Sequence, residues 1–315
     1  MESKKIDIGK ILSKYGMYIA FSILIIVLAI VSDAFLTVTN IINVLRQISV
    51  IGIMAVGMTF VISTGGIDLS VGAIMALSGV VSTSLVRGDS TVPVFLAVLA
   101  GIMIGIACGA FSGFFISRLE VPEFIATLAT MTITRGICYV YTDGRPITGF
   151  SAEYKSIGTG MIGPIPVPVV IYIIIILIGV FLLNFSKFGR HVLAVGGNEK
   201  ASIVSGINAA GVKFSCYIIS GVTSAIAGIV LAARTQTGQP VAGEGFELDA
   251  ITAVVIGGAS LSGGSGSVLG SVVGMLIIGV MTNGLDLLNV SSYYQKVIKG
   301  VIILVAVLSD RAKKK

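Results

Sequence analysis

Charge is what this sequence has least of. Only 11% of its 315 residues are Asp, Glu, Lys or Arg, against about 25% in a soluble domain. A surface so poor in charge is not in water over most of its area, which excludes an ordinary soluble fold. Histidine occurs once and cysteine three times. His191 has no second histidine with which to share a metal. Cys108, Cys138 and Cys216 are too scattered for a disulfide framework or a metal site, and read as small packing residues in apolar stretches. No Gly-rich loop ending in Lys-Ser or Lys-Thr is present, so the chain has no P-loop route to ATP hydrolysis. No catalytic constellation stands out.

What is abundant is apolar and small. Hydrophobic residues make up 55% and glycine contributes 40 positions, with a mean hydropathy of +1.03. A helical membrane span needs roughly 20 mostly apolar residues. Segments of that kind run over 17–35, 41–63, 69–86, 92–117, 123–142, 167–185, 213–233, 267–286 and 293–309. A further stretch, 249–262, is apolar but too short to cross as a straight helix, at about 21 Å. Its glycines, Gly257, Gly258, Gly263 and Gly264, are expected to bend or break its inner end. The expected fold is an all-α polytopic membrane protein with about ten transmembrane helices and both termini cytoplasmic. Eight spans with two re-entrant segments is the alternative. A polar loop, 143–166, and a longer charged loop, 186–212, separate the spans. The whole chain, 1–315, reads as one transmembrane domain with a cytoplasmic N-terminal segment, 1–16. The first apolar run lacks a good small-residue cleavage site, so it reads as an uncleaved span.

The net charge of +6 is a matter of topology here, with no sign of nucleic-acid binding. Lysine and arginine favour the cytoplasmic side. Ten spans put Lys4, Lys5, Lys10, Lys14, Arg118, Lys187, Arg190, Lys200, Lys213, Arg311 and Lys313–Lys315 on that side. Arg87, Arg145, Lys155 and Arg234 fall on the other, with Lys296 and Lys299 near the start of the last span. Segments two to five and seven to ten form two four-span groups of opposite orientation, the arrangement of inverted transporter repeats. Gly65-Gly66 with Gly72 resembles Gly263-Gly264 with Gly270, but in the wrong order for such a repeat, and reads as chance.

Polar groups within spans are costly in lipid and mark protein interiors or water paths. The translocation pathway is assigned to Asn43, Gln47, Asp68, Thr127, Thr130, Thr134 and Asn283. The competing reading for each is hydrogen bonding between helices. Thr127, Thr130 and Thr134 repeat at helical spacing, which puts several hydroxyls on one face. Such a lining suits a neutral, hydroxyl-rich substrate. Few buried acids are available for a proton relay. Gly65–Gly72 reads as a tight turn, with Asp68 or Ser70 capping the following helix. The 186–212 loop has its own short helical signal at 198–206, where Asn198 can cap and Gly206 can terminate. A solvated loop would not need apolar Ile203 and Val204; a docking helix would.

Gly196-Gly197-Asn198-Glu199-Lys200-Ala201 with Ser205-Gly206-Ile207-Asn208 resembles the cytoplasmic coupling loop of the ribose-type permease family of bacterial ATP-binding-cassette (ABC) importers. So do Gly66–Gly72, Phe124–Leu128 and Gly245–Ile251, and Ser291–Gln295 is similar to its ribose-transporting branch. The resemblance covers nearly the whole chain. It implies a permease subunit in the bacterial cytoplasmic membrane that passes a monosaccharide, ribose first, through a dimer of permeases. It implies two further partners: a cytoplasmic ATPase with two nucleotide-binding domains, and an extracytoplasmic sugar-binding protein. ATP and Mg²⁺ would reside on the ATPase, and no cofactor on this chain. Coupling to the ATPase would fall to Gly196, Gly197, Asn198, Glu199, Ala201, Ile203, Val204, Ser205 and Gly206. The loop departs from the general importer motif: Lys200 replaces the first Ala after the Glu, Gly206 lies seven residues after Glu199, and no Leu-Pro follows. A secondary carrier or channel acting alone, or a membrane enzyme, are the competing functions.

Overall fold

The computed structural model describes residues 8–88 and 90–312. Lys4, Lys5 and Lys313–Lys315, invoked above for sidedness, lie outside them, as do residues 1–7 of the 1–16 segment. Among the described residues every one of the ten apolar segments becomes a helix. These are α1 (Ile8–Val31), α2 (Val38–Ser63), α3 (Val71–Leu85), α4 (Val94–Arg118) and α5 (Glu123–Thr142). The polar loop that follows is not irregular: it folds into α6 (Ala152–Thr159) and a two-residue hairpin, β1 (Met161–Ile162) with β2 (Ile165–Pro166). Then come α7 (Val167–Val180), which continues through a π-helical turn at Phe181–Phe185, and α8 (Lys187–Gly197). The remainder is α9 (Glu199–Val204), α10 (Ala209–Thr235), α11 (Phe246–Ile256), α12 (Val268–Leu287) and α13 (Ser292–Ala312).

Six of these, α2, α4, α5, α7 with its π turn, α10 and α12, are long and apolar enough to cross a membrane. Gly16–Val31 and α3 are shorter apolar helices. The protein is a multi-pass, all-α membrane protein. α11 has 11 residues, about 16 Å of rise. It stops at Gly257 and turns through Gly258, whose φ is +94°. The expectation that this segment is no straight span therefore holds.

Helix α10 is the hub, packed on α2, α3 and α4. Its antiparallel contact with α4 is made backbone to backbone. Gly101, Gly105 and Gly109 recur every four residues, opposite Ile229, Gly221 and Tyr217 in turn. A Cβ on Gly105 would lie 2.3 Å from the Gly221 carbonyl oxygen. Between membrane helices there is little hydrophobic drive, so close approach through small residues supplies the packing.

The packing has the pattern of an inverted repeat. Helix α10 packs against α3 and antiparallel to α4; α2 packs against α11 and antiparallel to α12, and α2 and α10 pack on each other. The internal match then falls on segments other than the glycine pairs singled out above. Gly66-Ile67-Asp68-Leu69-Ser70, between α2 and α3, corresponds to Gly245-Phe246-Glu247-Leu248-Asp249, entering α11 from α10. Gly65 and Gly263-Gly264 instead meet in space. The Gly264 N–H donates to the Ser63 carbonyl at 3.0 Å, and a Cβ on Gly65 would touch Ser262. The resemblance of these two glycine pairs marks one joint in the fold.

Candidate functional site

The 186–212 loop is mostly helical. Asn198, in extended backbone, ends α8 and caps α9: its side-chain oxygen accepts the Ala201 N–H at 2.9 Å. Glu199 occupies the first turn of α9, where a carboxylate meets the positive end of the helix dipole. The helix ends at Ser205-Gly206. Gly206 has φ +85°, a conformation that a Cβ disfavours. Its N–H donates to the Ile203 carbonyl, and the Ile207 N–H to that of Ser202. Asn208 then caps α10 through the Gly211 N–H.

This double cap presents a short helix that exposes two large apolar side chains. Ile203 is 56% exposed and Val204 89%. Behind α9, a groove of about 860 Å³ separates it from the connection between α4 and α5; Glu120, Pro122, Glu123 and Lys213 are among its walls. Across the groove the Lys213 ammonium lies 2.8 Å from Glu199 and 3.6 Å from Glu123.

Gly196 and Gly197 do not share this outward face. A Cβ on Gly196 would lie 1.9 Å from the Ser63 carbonyl oxygen and 2.6 Å from the Gly264 nitrogen. The end of α8 is thus pressed onto the ends of α2 and the α11–α12 connection.

Asp68 is fully buried. It was expected to cap α3, as was Ser70, but neither side chain does so. Asp68 instead accepts the Ser70 N–H at 2.9 Å and the Ser70 hydroxyl at 2.5 Å with one oxygen, and the Ser220 hydroxyl of α10 at 2.7 Å with the other. Burial pushes its carboxyl above the ordinary carboxylate range, against the downward pull of these serines.

The threonine face of α5 turns inward. Thr127 donates to the Glu123 carbonyl at 2.9 Å and reaches the Ile67 carbonyl at 3.3 Å. Ser112 of α4 donates to Thr130 at 2.9 Å, and Thr134 lies 3.6 Å from the Cys108 sulfur. These three threonines are buried within the subunit, each 2% exposed or less. Asn43 is exposed and Gln47 half-buried, one turn apart on α2. Asn283 is locked in a reciprocal amide pair with Asn40, at 2.9 and 2.8 Å, joining the start of α2 to the end of α12. The pathway residues named from sequence therefore fall into separate places: Asp68 with Thr127, Thr130 and Thr134 near α4 and α5, and Asn43, Gln47 and Asn283 near the start of α2. Sequence reasoning missed Lys213, Glu123, Ser220 and Asn40. The available signal was a lone cation and a lone acid, each at the first turns of an otherwise apolar span.

Comparison with known proteins follows the same outline. The family described as "Branched-chain amino acid transport system / permease component" matches residues 40–307. The chain is 48% identical to the ribose import permease protein RbsC of Bacillus subtilis, over 99% of this chain and 97% of that protein. It is 47% identical to the Haemophilus influenzae protein of the same name, over 98% and 96%. It is 38% identical to the L-arabinose transport system permease protein AraH of Escherichia coli, over 98% and 93%. No solved structure matches.

Proposed function

This chain belongs to the family of permease components of branched-chain amino acid transport systems, and on that premise we propose that it is the membrane subunit of an ATP-driven importer of a monosaccharide, ribose first. The near-full-length likeness to two ribose import permeases, at 48% and 47% identity, favours a pentose over the amino acid of the family's description. The observation that carries the ATP-driven part is α9. A capped six-residue helix that exposes Ile203 and Val204 outside the apolar spans has no work to do in lipid, and a groove on a soluble partner would bury both. That partner is a cytoplasmic ATPase with two nucleotide-binding domains, which holds the ATP and Mg²⁺. An extracytoplasmic sugar-binding protein delivers the substrate, and two copies of this chain form the path between them. Closure of the ATPase moves α9, and the spans rock about the path.

Reconstitution tests this. The chain in proteoliposomes with its ATPase and binding protein is expected to take up labelled ribose only when ATP is present on the α9 side. Uptake of leucine in place of ribose would move the substrate to the amino acid class. Uptake without any ATPase would show a carrier acting alone.

A further inference from the structure

Helix α9 is lightly held. Of its six residues only Ser202 is buried, and that hydroxyl bonds the Asn198 carbonyl within the same turn. Among the described residues, Glu199 to Lys213 at 2.8 Å is the one side-chain hydrogen bond or ion pair that joins α9 to another helix. Lys213 sits one turn into α10, near the N-terminal end, where the helix dipole gives a cation no support. Its side chain is 16% exposed and its second carboxylate is Glu123, the first residue of α5.

The two helices that Lys213 grips both run on to the same target. On α10, Lys213, Tyr217 and Ser220 follow at spacings of four and three, so they line one face. Ser220 holds Asp68, and the Tyr217 hydroxyl would lie 2.7 Å from a Cβ on Gly66. On α5, Thr127 is one turn beyond Glu123 on the same face and reaches the Ile67 carbonyl. The Glu123 carboxyl carbon would itself lie 3.3 Å from a Cβ on Gly66. One continuous line of contacts therefore runs from α9, through Lys213, to the buried connection between α2 and α3.

We propose that Lys213 is a positioning residue of transport: it clamps α9 to the entries of α5 and α10, so that displacement of α9 is delivered to the Gly66–Asp68 connection. The proposal rests on the reading of α9 as the contact with an ATPase. Lys213 faces away from that partner and acts through Glu199 and Glu123. Without the clamp, α9 still docks but its movement is spent in the groove behind it.

The test uses the reconstituted transporter with its ATPase and sugar-binding protein, and reads ribose taken up per ATP hydrolysed. Wild type is measured first, and absence of ATP-dependent uptake there would sink the proposed function itself. Given a working wild type, Lys213→Met is expected to lower the ratio by about tenfold or more, and Lys213→Arg to keep it within about twofold, since either cation can bridge two carboxylates. A Lys213→Met ratio within about twofold of wild type overturns the proposal. Should Lys213→Met fail to assemble, a charge swap decides. In a Glu123→Gln background, Lys213→Glu with Glu199→Lys re-forms the α9 contact, whereas Lys213→Glu alone places two acids together. The swap is expected to restore the ratio over the unswapped variant by about tenfold; equal ratios overturn the proposal. A residue that served packing alone would not respond to the sign of its partner.

Discussion

Replacing Gly196 by alanine puts a methyl group where three connections meet. The new Cβ would lie 1.9 Å from the Ser63 carbonyl oxygen, 2.6 Å from the Gly264 nitrogen and 2.9 Å from the Ser63 carbonyl carbon. All three are backbone atoms, so no side chain can swing aside. Overpacking of this kind costs about 1–3 kcal/mol. Separating the two segments would also weaken the bond from the Gly264 N–H to the Ser63 carbonyl, for about 1 kcal/mol more. Alanine gains up to about 1 kcal/mol over glycine in a helix, which offsets part of this. The neighbour provides the control. A Cβ on Gly197 meets only the Gly264 Cα, at 3.9 Å, so Gly197→Ala keeps the helical gain with no clash. The two variants should differ by about 2 kcal/mol or more, roughly 4 °C in melting temperature at about 2 °C per kcal/mol for a large domain. The chain has no tryptophan, so unfolding is read by a thiol-reactive dye. Cys138 and Cys216 are fully buried and become reactive as the bundle opens. If the two alanine variants melt together, the close approach of α8 to the end of α2 and the α11–α12 connection is wrong.

Changing Ile203 and Val204 together to Asp should leave the amount of protein in the membrane unaltered while co-purification of the ATPase is lost, because two unpaired charges would be buried against the partner; retained assembly counts against α9 as the docking element. With the native cysteines replaced, a cysteine at position 200 should react with an impermeant reagent in inside-out vesicles and stay unlabelled in intact cells, and labelling from outside would refute the topology. Asn40→Leu and Asn283→Leu should each destabilise by about 1–3 kcal/mol, since each strands the other amide, and the double variant should cost less than the sum. Additive losses in unfolding titrations would mean that the two amides do not work as a pair.

What was legible in the sequence is what local chemistry dictates. The apolar runs gave their helices because length and hydropathy are local properties. Asn198 and Gly206 marked both ends of α9, since a cap needs only a short polar side chain and a terminus needs only a positive φ. The short eighth segment was legible from its glycines. What was not legible depends on which helix faces which. Helix α8 was hidden because Lys187–Gly197 mixes charged and apolar residues in a loop too polar to be a span. The hydroxyls of Thr127, Thr130 and Thr134 do share a face, but the sequence does not say whether that face meets a water path or α4. Asp68 lies two residues before the N-cap position of α3, and its carboxylate finds a serine on α10, 152 positions away.

Several polar contacts within the apolar bundle join a member of the first four-helix group to a member of the second. Glu123 of α5 meets Lys213 of α10. Asp68, between α2 and α3, meets Ser220 of α10. At the far end Asn40 of α2 meets Asn283 of α12, and Arg135 of α5 donates to the carbonyls of Pro240 and Ala242 in the connection between α10 and α11. Both polar contacts and close approach of small residues also occur inside a group: Lys299 of α13 pairs with Asp249 of α11 at 2.8 Å, Ser112 of α4 donates to Thr130 of α5, and Gly270 and Gly274 of α12 abut Gly257 and Ala253 at the end of α11. Packed backbone has one good arrangement, whereas a hydrogen bond or ion pair can be exchanged for another at little cost when both partners stay polar. The seam between the groups holds both kinds: α4 and α10 meet backbone to backbone at Gly105 and Gly221, and the ion pair of Lys213 with Glu123 lies at its entry. Helix α9 is attached through Glu199 to that same lysine, and therefore to an exchangeable contact of the seam.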